Sequence, residues 1–91
     1  MYIVRENVIN GEECGYFVDE KIRGTLIESI YVTLSPKSCS CKHFTESKNI
    51  YNHFHINLVE HWVKSGKPTA AIYAKSKKGK IRVLCPGFIK S

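Results

Sequence analysis

The sequence has no run of about twenty apolar residues, which is the length that an α-helix needs to cross a bilayer. We therefore expect no membrane-spanning segment. The first ten residues include Arg5 and Glu6, at positions where a secretory signal would need an uninterrupted apolar stretch. The protein is accordingly expected to be intracellular, cytoplasmic or associated with the nucleoid, where thiols stay reduced.

Motifs of the common enzyme classes are also missing. The 91 residues contain no glycine-rich phosphate loop and no Gly-x-Ser-x-Gly nucleophile motif. No carboxylate stands beside the cysteine and histidine pattern described below in an arrangement that suits a general base. The sequence therefore predicts a binding module and not an enzyme.

Acidic residues are missing from the last third of the chain. Residues 61–91 carry eight lysine and arginine residues and no aspartate or glutamate, although the whole chain has eight acidic residues and a formal net charge of +6. A basic segment of this kind attracts polyanions, which are chiefly nucleic acids and acidic proteins. The alternative is a basic surface that only keeps the protein in solution.

The overall composition of the chain is that of a small globular domain. Hydrophobic residues make up 43% of the chain and charged residues 24%. A chain of this length is expected to form one domain over residues 1–91. Because so small a core stabilises a fold by a narrow margin, a bound metal or another crosslink would contribute a large share of the stability.

The spacing of apolar residues predicts an α+β fold. Runs rich in β-branched and aromatic residues predict strands at residues 2–9, 16–22, 25–34, 70–76 and 81–85. Asn10-Gly11 predicts a turn between the first two. In the third strand the alternating apolar positions, Leu26 among them, are expected to share one face, and Pro36 ends that strand and opens a loop. Apolar residues at three- and four-residue spacing predict one amphipathic helix at 53–65, ended by Gly66 and Pro68. The last two strands form a hairpin over 69–86 with lysines at its tip. We expect a small, mostly antiparallel sheet with one helix.

Cysteine and histidine residues are concentrated around the start of that helix. The pattern is Cys39-x-Cys41, then eleven residues, then His53-x-His55. Zinc prefers four thiolate or imidazole ligands in a tetrahedron, and two short-spaced pairs from separate elements can supply them. Two residues turn a helix by about 200°, so both histidines can face one ion only if His53 precedes the helix and His55 lies in its first turn. We predict one zinc ion at these four residues.

Other roles for the cysteine and histidine residues remain open. His43 is an alternative fourth ligand, and His61 is expected on the surface of the helix. The Cys-x-Cys pair could instead be a thiol redox site. Cys14 and Cys85 lie outside the pattern and are either small buried thiols or the two halves of a disulfide.

The segment from residue 30 to residue 65 resembles the SWIM zinc finger, whose pattern is Cys-x-Cys, a variable spacer, and Cys-x-His at the start of a helix. The resemblance rests on the strand IYVTL, the string SCSCKHF and the helix start HFHINLVEHW. His53 stands where the family has cysteine, and a second register would place Tyr51-x-His53 on the family's Cys-x-His. The resemblance implies a ββα finger core at about 25–66, one structural zinc ion, and contacts with DNA or protein partners.

Two binding functions follow from the finger pattern and the basic last third. The first is contact with the nucleic-acid backbone, with weak sequence preference because lysine outnumbers arginine seven to one there. The second is a protein-interaction adaptor or small regulator whose hairpin faces an acidic partner. Tyr73 either stacks on a base or packs within the sheet. Exposed sheet edges are compatible with a monomer or a homodimer. The expected phosphate-binding residues are Lys64, Lys67, Lys75, Lys77, Lys78, Lys80 and Arg82.

Overall fold

The computed structural model describes residues 1–41 and 53–89, which form a six-stranded antiparallel sheet and one helix. In chain order the elements are β1 (Tyr2–Ile9), β2 (Glu12–Ile22), β3 (Thr25–Leu34), β4 (Lys37–Cys39), α1 (Phe54–Lys64), β5 (Ile72–Lys75) and β6 (Ile81–Cys85). The strand order is β4-β3-β2-β1-β5-β6. The α+β class and the antiparallel sheet are confirmed, but the sheet has more strands than the expected ββα core and hairpin.

Turn chemistry explains where β1 ends and β2 begins. Asn10 and Gly11 both adopt positive φ angles, 53° and 80°, as a two-residue hairpin turn requires. The tight turn returns the chain at once to the ladder, so β2 begins at Glu12 and not at the predicted residue 16. The sequence predicts a loop after Pro36, whereas the structure forms β4 there, with Cys39 paired to Val32 of β3.

The core lies between the helix and one face of the sheet. Val4, Val18 and Ile30 are cross-strand neighbours on that face, and all three are buried. The helix contributes the fully buried Ile56, Leu58 and Val59 as well as the buried Trp62. Burying each such side chain stabilises the fold by about 1.5–3 kcal/mol. Leu26, which the alternating pattern predicts to be inward-facing, is 53% exposed, because residues 25–29 of β3 extend beyond this core.

The opposite face of the sheet carries a polar network. Arg5 Nε donates a hydrogen bond to Asp19 Oδ2 at 2.7 Å, and Ser29 Oγ donates one to Asp19 Oδ1 at 2.6 Å. Burial favours a higher pKa for Asp19, but these hydrogen bonds and the charge of Arg5 outweigh it and hold the pKa below its usual value. The Arg5 guanidinium also lies 4.4 Å from the ring centroid of Phe17.

Within residues 1–41 and 53–89, no helix has both the length and the apolar composition that crossing a membrane requires.

Candidate metal centre

The four predicted metal ligands lie together at one end of the helix. Cys39 ends β4, Cys41 follows two residues later, and His53 and His55 flank the first helical residue. One donor atom from each residue lies within 4.8 Å of all the others. Both cysteines are buried, and His53 is only 9% exposed, so the cluster is largely shielded from solvent.

The backbone around the helix start explains why the two histidines converge. His53 occupies the N-cap position with extended backbone angles, φ −87° and ψ 121°, and His55 lies in the first turn. The carbonyl of His53 accepts the amide of Asn57 at 3.0 Å, which is the first hydrogen bond of the helix. The condition derived from the sequence, with one histidine before the helix and one inside it, is therefore confirmed.

The distances between the donor atoms suit a tetrahedral zinc ion. Zinc bonds of about 2.3 Å to sulfur and about 2.0–2.1 Å to nitrogen place tetrahedral ligands about 3.3 Å (N to N) and about 3.6 Å (S to N) apart. His53 Nε2 lies 3.3 Å from His55 Nδ1. Cys41 Sγ lies 3.0 Å from His53 Nε2, and Cys39 Sγ lies 3.8 Å from His55 Nδ1. The donor set is therefore consistent with one zinc ion, two of these three distances lying close to the tetrahedral values and the Cys41–His53 distance being shorter.

The surroundings of Cys39 affect its charge state. Burial raises the pKa of the Cys39 thiol to about 12, against the opposing effect of a hydrogen bond from the Cys41 amide to Cys39 Sγ at 3.5 Å. Zinc binds the thiolate, so metal binding would release protons from this site. The positive end of the helix dipole lies at the start of α1 and favours negative charge beside it, such as that of a thiolate. The first turn of α1 contains no acidic residue that would already supply this charge.

Aromatic rings pack against the cluster on the side facing β1. Phe54, which stands between the two histidines, is buried with its ring centroid 5.0 Å from that of Tyr2. The ring of Tyr2 also lies edge-on to His55, with centroids 6.1 Å apart. Sequence reasoning missed these two residues, although an aromatic residue between two expected ligands is a signal for packing at the site.

The remaining cysteine and histidine residues lie away from the cluster or outside the described residues. His61 packs edge-on against Tyr73, with ring centroids 5.7 Å apart. Cys14 is exposed and Cys85 is half-buried, and both are free thiols. The expectation of a buried thiol is therefore wrong for Cys14, and no disulfide joins the pair. His43 and Tyr51 lie outside the described residues.

The basic residues predicted to bind phosphate fall into two groups. Lys64 and Lys67 lie at the C-terminal end of α1. The Lys67 ammonium pairs with Glu13 at 2.9 Å and with Glu6 at 3.3 Å. The other group lies on the hairpin of β5 and β6, and its five residues are all exposed: Lys75, Lys77, Lys78, Lys80 and Arg82. Tyr73 is 1% exposed, so it packs within the core and is not available for stacking on a base.

This cluster of two cysteines and two histidines can hold a single divalent ion. Four protein donors complete a tetrahedron, which leaves no coordination position for a reacting water molecule.

Comparison with protein-family models, with curated proteins and with solved structures finds no match for this chain.

Proposed function

We propose that the chain is a zinc-stabilised binding module whose basic hairpin contacts the phosphate backbone of nucleic acid. One Zn²⁺ would be held by two thiolates and two imidazoles: Cys39, Cys41, His53 and His55. The observation that carries the metal assignment is the convergence of donor atoms from two chain segments within 4.8 Å. The buried setting and the thiolate-imidazole donor set favour zinc over the oxygen-preferring cations.

A structural role for the ion follows from what it would join. Cys39 belongs to the sheet and His55 to the helix, so the ion links the two layers of the fold. Apparent zinc binding in finger peptides is worth about 10–16 kcal/mol, whereas a whole domain is typically stable by about 5–15 kcal/mol. The metal would therefore supply much of the stability of so small a domain.

The resemblance to SWIM fingers supports the same interpretation. Strand β3, the Cys-x-Cys segment and helix α1 follow one another in the order that the SWIM pattern requires. With His53 in the position of the third cysteine, the site carries two thiolates and is neutral once Zn²⁺ is bound.

Elemental analysis of freshly purified protein tests the metal centre. We expect about one zinc per chain, and a loss of most of it in Cys41→Ser and His55→Ala. Cys14→Ser and His61→Ala are the matched controls, because they change the same residue types outside the cluster. Metal-free wild-type protein, or full zinc in both site variants, would overturn the assignment.

The hairpin is the surface that best suits a polyanion. Lys77, Lys78, Lys80 and Arg82 form no ion pair with any residue in 1–41 or 53–89, unlike Lys67. Because lysine ammonium groups act as mobile point charges, they suit contact with phosphates better than recognition of base edges. We therefore place the phosphate contacts on the hairpin and not at Lys67, whose ammonium group is already paired with two carboxylates.

Binding to duplex DNA of random sequence, measured over a range of salt concentrations, tests the hairpin. Log affinity falls as log salt rises, and each neutralised phosphate makes this slope steeper by about 0.9. Replacing Lys77, Lys78 and Lys80 by glutamine should therefore make the slope shallower by up to about 2.7. The control is Lys37→Gln, which removes a charge that pairs with Glu60. Absence of binding at low salt would contradict the nucleic-acid proposal and favour the adaptor role.

A further inference from the structure

We infer that a cavity between the C-terminal end of α1 and strand β6 seats one unpaired nucleobase, whose polar edge is hydrogen-bonded by Tyr73 and His61. The cavity has a volume of about 370 Å³ and is lined by both residues. Small-molecule sites occupy about 300–1,000 Å³, so a cavity at the lower end of this range suits one heterocycle and not a longer segment of chain. The inference rests on the proposed function, because the basic hairpin holds the phosphates of the same nucleic-acid strand.

The hydroxyl group of Tyr73 is the first polar group that the cavity offers to a ligand. Tyr73 is 1% exposed, yet its hydroxyl forms no hydrogen bond with any residue in 1–41 or 53–89. Within the same residues, every fully enclosed side-chain oxygen and nitrogen has a hydrogen-bond partner, so this hydroxyl must reach open space, which the cavity supplies. Burial raises the pKa of Tyr73, so the hydroxyl stays protonated and can both donate and accept a hydrogen bond.

His61 offers further hydrogen-bonding groups on the helix side of the cavity. Its ring lies edge-on to the ring of Tyr73, and its two nitrogens form no hydrogen bond with the part of the chain that the structure describes. A neutral imidazole donates through one nitrogen and accepts through the other. Ser65 Oγ, which also lines the cavity, donates to the carbonyl oxygen of His61 at 2.8 Å and keeps its own oxygen as an acceptor. The cavity therefore presents donors and acceptors together, as recognition of the Watson–Crick edge of a base requires.

The rest of the lining is apolar, and it favours a neutral ligand. None of the described residues around the cavity is aspartate, glutamate, lysine or arginine. A phosphate, carboxylate or ammonium group would lose its hydration there without gaining an opposite charge. A nucleobase is a neutral ring with apolar faces and a polar edge, so it matches this lining. The apolar walls are formed by Pro68, Val83, Pro86 and Ile89.

Backbone hydrogen bonds hold the walls of the cavity in place. The amide of Thr69 donates to the carbonyl oxygen of Phe88 at 2.7 Å, and the amide of Phe88 donates to that of Thr69 at 3.0 Å. The segment after β6 is thereby tied to the segment after α1, and both segments contribute to the lining. A ligand that enters such a preformed cavity loses less affinity to the ordering of protein groups.

Basic residues border the cavity on both elements that form it. Lys75 follows Tyr73 by two residues, so it lies on the same face of β5, about 7 Å further along the strand. Lys64 is exposed and follows His61 by about one turn of the helix. A nucleotide whose base enters the cavity therefore keeps its flanking phosphates near ammonium groups. In a duplex the base edge is already paired and the base must first be extruded, so the site favours a single strand.

Binding of dye-labelled single-stranded DNA to the full-length, zinc-loaded chain tests the cavity. One oligonucleotide carries normal bases, and the other has the same sugar-phosphate backbone without bases, so the difference in affinity isolates base binding. We expect the wild type to bind the abasic strand several-fold more weakly. Tyr73→Phe removes only the hydroxyl, so it should weaken binding of the normal strand by about 2- to 10-fold, the factor that one hydrogen bond contributes. Its affinity for the abasic strand should equal that of the wild type.

Two further variants separate the cavity from the rest of the protein. His61→Phe keeps an aromatic ring but removes both nitrogens, and it should behave like Tyr73→Phe. Tyr16→Phe is the matched control, because Tyr16 is also buried but does not line the cavity. Replacing Lys77, Lys78 and Lys80 by glutamine should weaken binding of both strands by the same factor, since it removes phosphate contacts. Thermal unfolding checks that each variant is folded.

The proton NMR signal of the His61 ring reports base binding directly. This signal is identified as the one that is lost in His61→Phe, and it should shift with the normal strand but not with the abasic strand. Equal affinity of the wild type for the two strands, or unchanged binding of the normal strand by Tyr73→Phe, overturns the base site and leaves the phosphate contacts in place. Absence of binding to either strand overturns the proposed contact with nucleic acid as well.

Discussion

The ammonium group of Lys75 lies 5.3 Å from the ring centroid of Phe54, the residue between the two clustered histidines. A strand of the basic hairpin is thereby in contact with the first residue of the helix. Tyr2 of β1 packs against the same phenyl ring. The cysteine and histidine cluster and the tip end of β5 therefore belong to one packed unit, and loss of order at the helix start should also affect the hairpin.

Removing the metal should destabilise the whole domain. A chelator is expected to lower the thermal midpoint by well over 10 °C, because about 1 kcal/mol shifts the midpoint of a domain this size by roughly 4–8 °C. Trp62 is the single tryptophan of the chain and is buried, so its fluorescence reports the transition. Cys14→Ser should respond to the chelator like the wild type, whereas Cys41→Ser should not respond. Equal midpoints for wild-type protein with and without chelator would contradict a structural metal.

The packing of helix and sheet predicts a large effect from one small truncation. Val18 is fully buried at the centre of the sheet, and Val18→Ala should lower the free energy of unfolding by about 2–3 kcal/mol. Val8→Ala, at an exposed position on the neighbouring strand, should change it by less than about 0.5 kcal/mol. Denaturant titration of the zinc-loaded proteins measures both values, and similar losses in the two variants would contradict the assigned core.

The network around Asp19 predicts a dependence of stability on pH. The pKa of Asp19 is lowered in the folded protein, so its contribution is present above the unfolded pKa of about 3.9 and is lost as pH falls through the folded pKa. Arg5 is half-exposed, so we expect about 1 kcal/mol or less.

The free energy of unfolding should be measured for wild type and Asp19→Asn from neutral to acid pH. The difference between the two proteins isolates the contribution of the Asp19 charge from the titration of other groups. The two proteins should converge as the pH falls. Glu12→Gln, at an exposed carboxyl on the same strand, is the control. A constant difference between wild type and Asp19→Asn over the whole range would rule out the charged network.

The segment after the helix contains a residue in an unfavourable backbone conformation. Ala70 has a φ angle of 61°, in the left-handed region that costs a residue with a Cβ about 1–2 kcal/mol. Glycine removes this cost but loses about 0.4–1 kcal/mol through greater freedom in the unfolded chain. Ala70→Gly should therefore stabilise the protein slightly, by up to about 1 kcal/mol, measured by thermal unfolding.

Replacing glycine by alanine at position 87 should have the opposite effect and destabilise the protein. Gly87 also has a positive φ angle, 69°, and an added Cβ would collide with the carbonyl oxygen of Thr69 and the backbone of Ala71. Gly87→Ala should therefore lower the thermal midpoint, because rigid backbone atoms would have to move. A lower midpoint in Ala70→Gly together with no change in Gly87→Ala would contradict this backbone geometry.

The elements with clear periodicity are those that the sequence predicts well. The boundaries of β1, β3 and β6 agree with the expected ranges, and the helix is one residue shorter at each end. Strand β4 has no such signal, since its sequence is Lys-Ser-Cys, and it exists because the end of β3 offers a partner. The exposure of Leu26 is equally unpredictable, because it depends on where the helix stops covering the sheet.

Which basic residues form ion pairs is a second property that the sequence does not predict. Lys67 is one of eight basic residues in a segment without acids, yet in the structure it pairs with Glu6 and Glu13, more than fifty residues earlier. Net charge along the chain cannot reveal such a pairing, because it depends on which strands become neighbours. Lys77 and Lys78 on the hairpin are exposed and form no ion pair within the described part of the chain.

The sequence by itself determined the local features of this protein: strand and helix periods, the Asn-Gly turn, and one short-spaced pair each of cysteine and histidine side chains. These depend on residues within a few positions of one another, where spacing dictates direction. Only the tertiary structure decided that the cysteine pair and the histidine pair meet, that Tyr73 is buried, and that β6 is left at an edge. Each of these outcomes is set by packing between distant segments, since burying the shared apolar face of helix and sheet determines which surfaces meet.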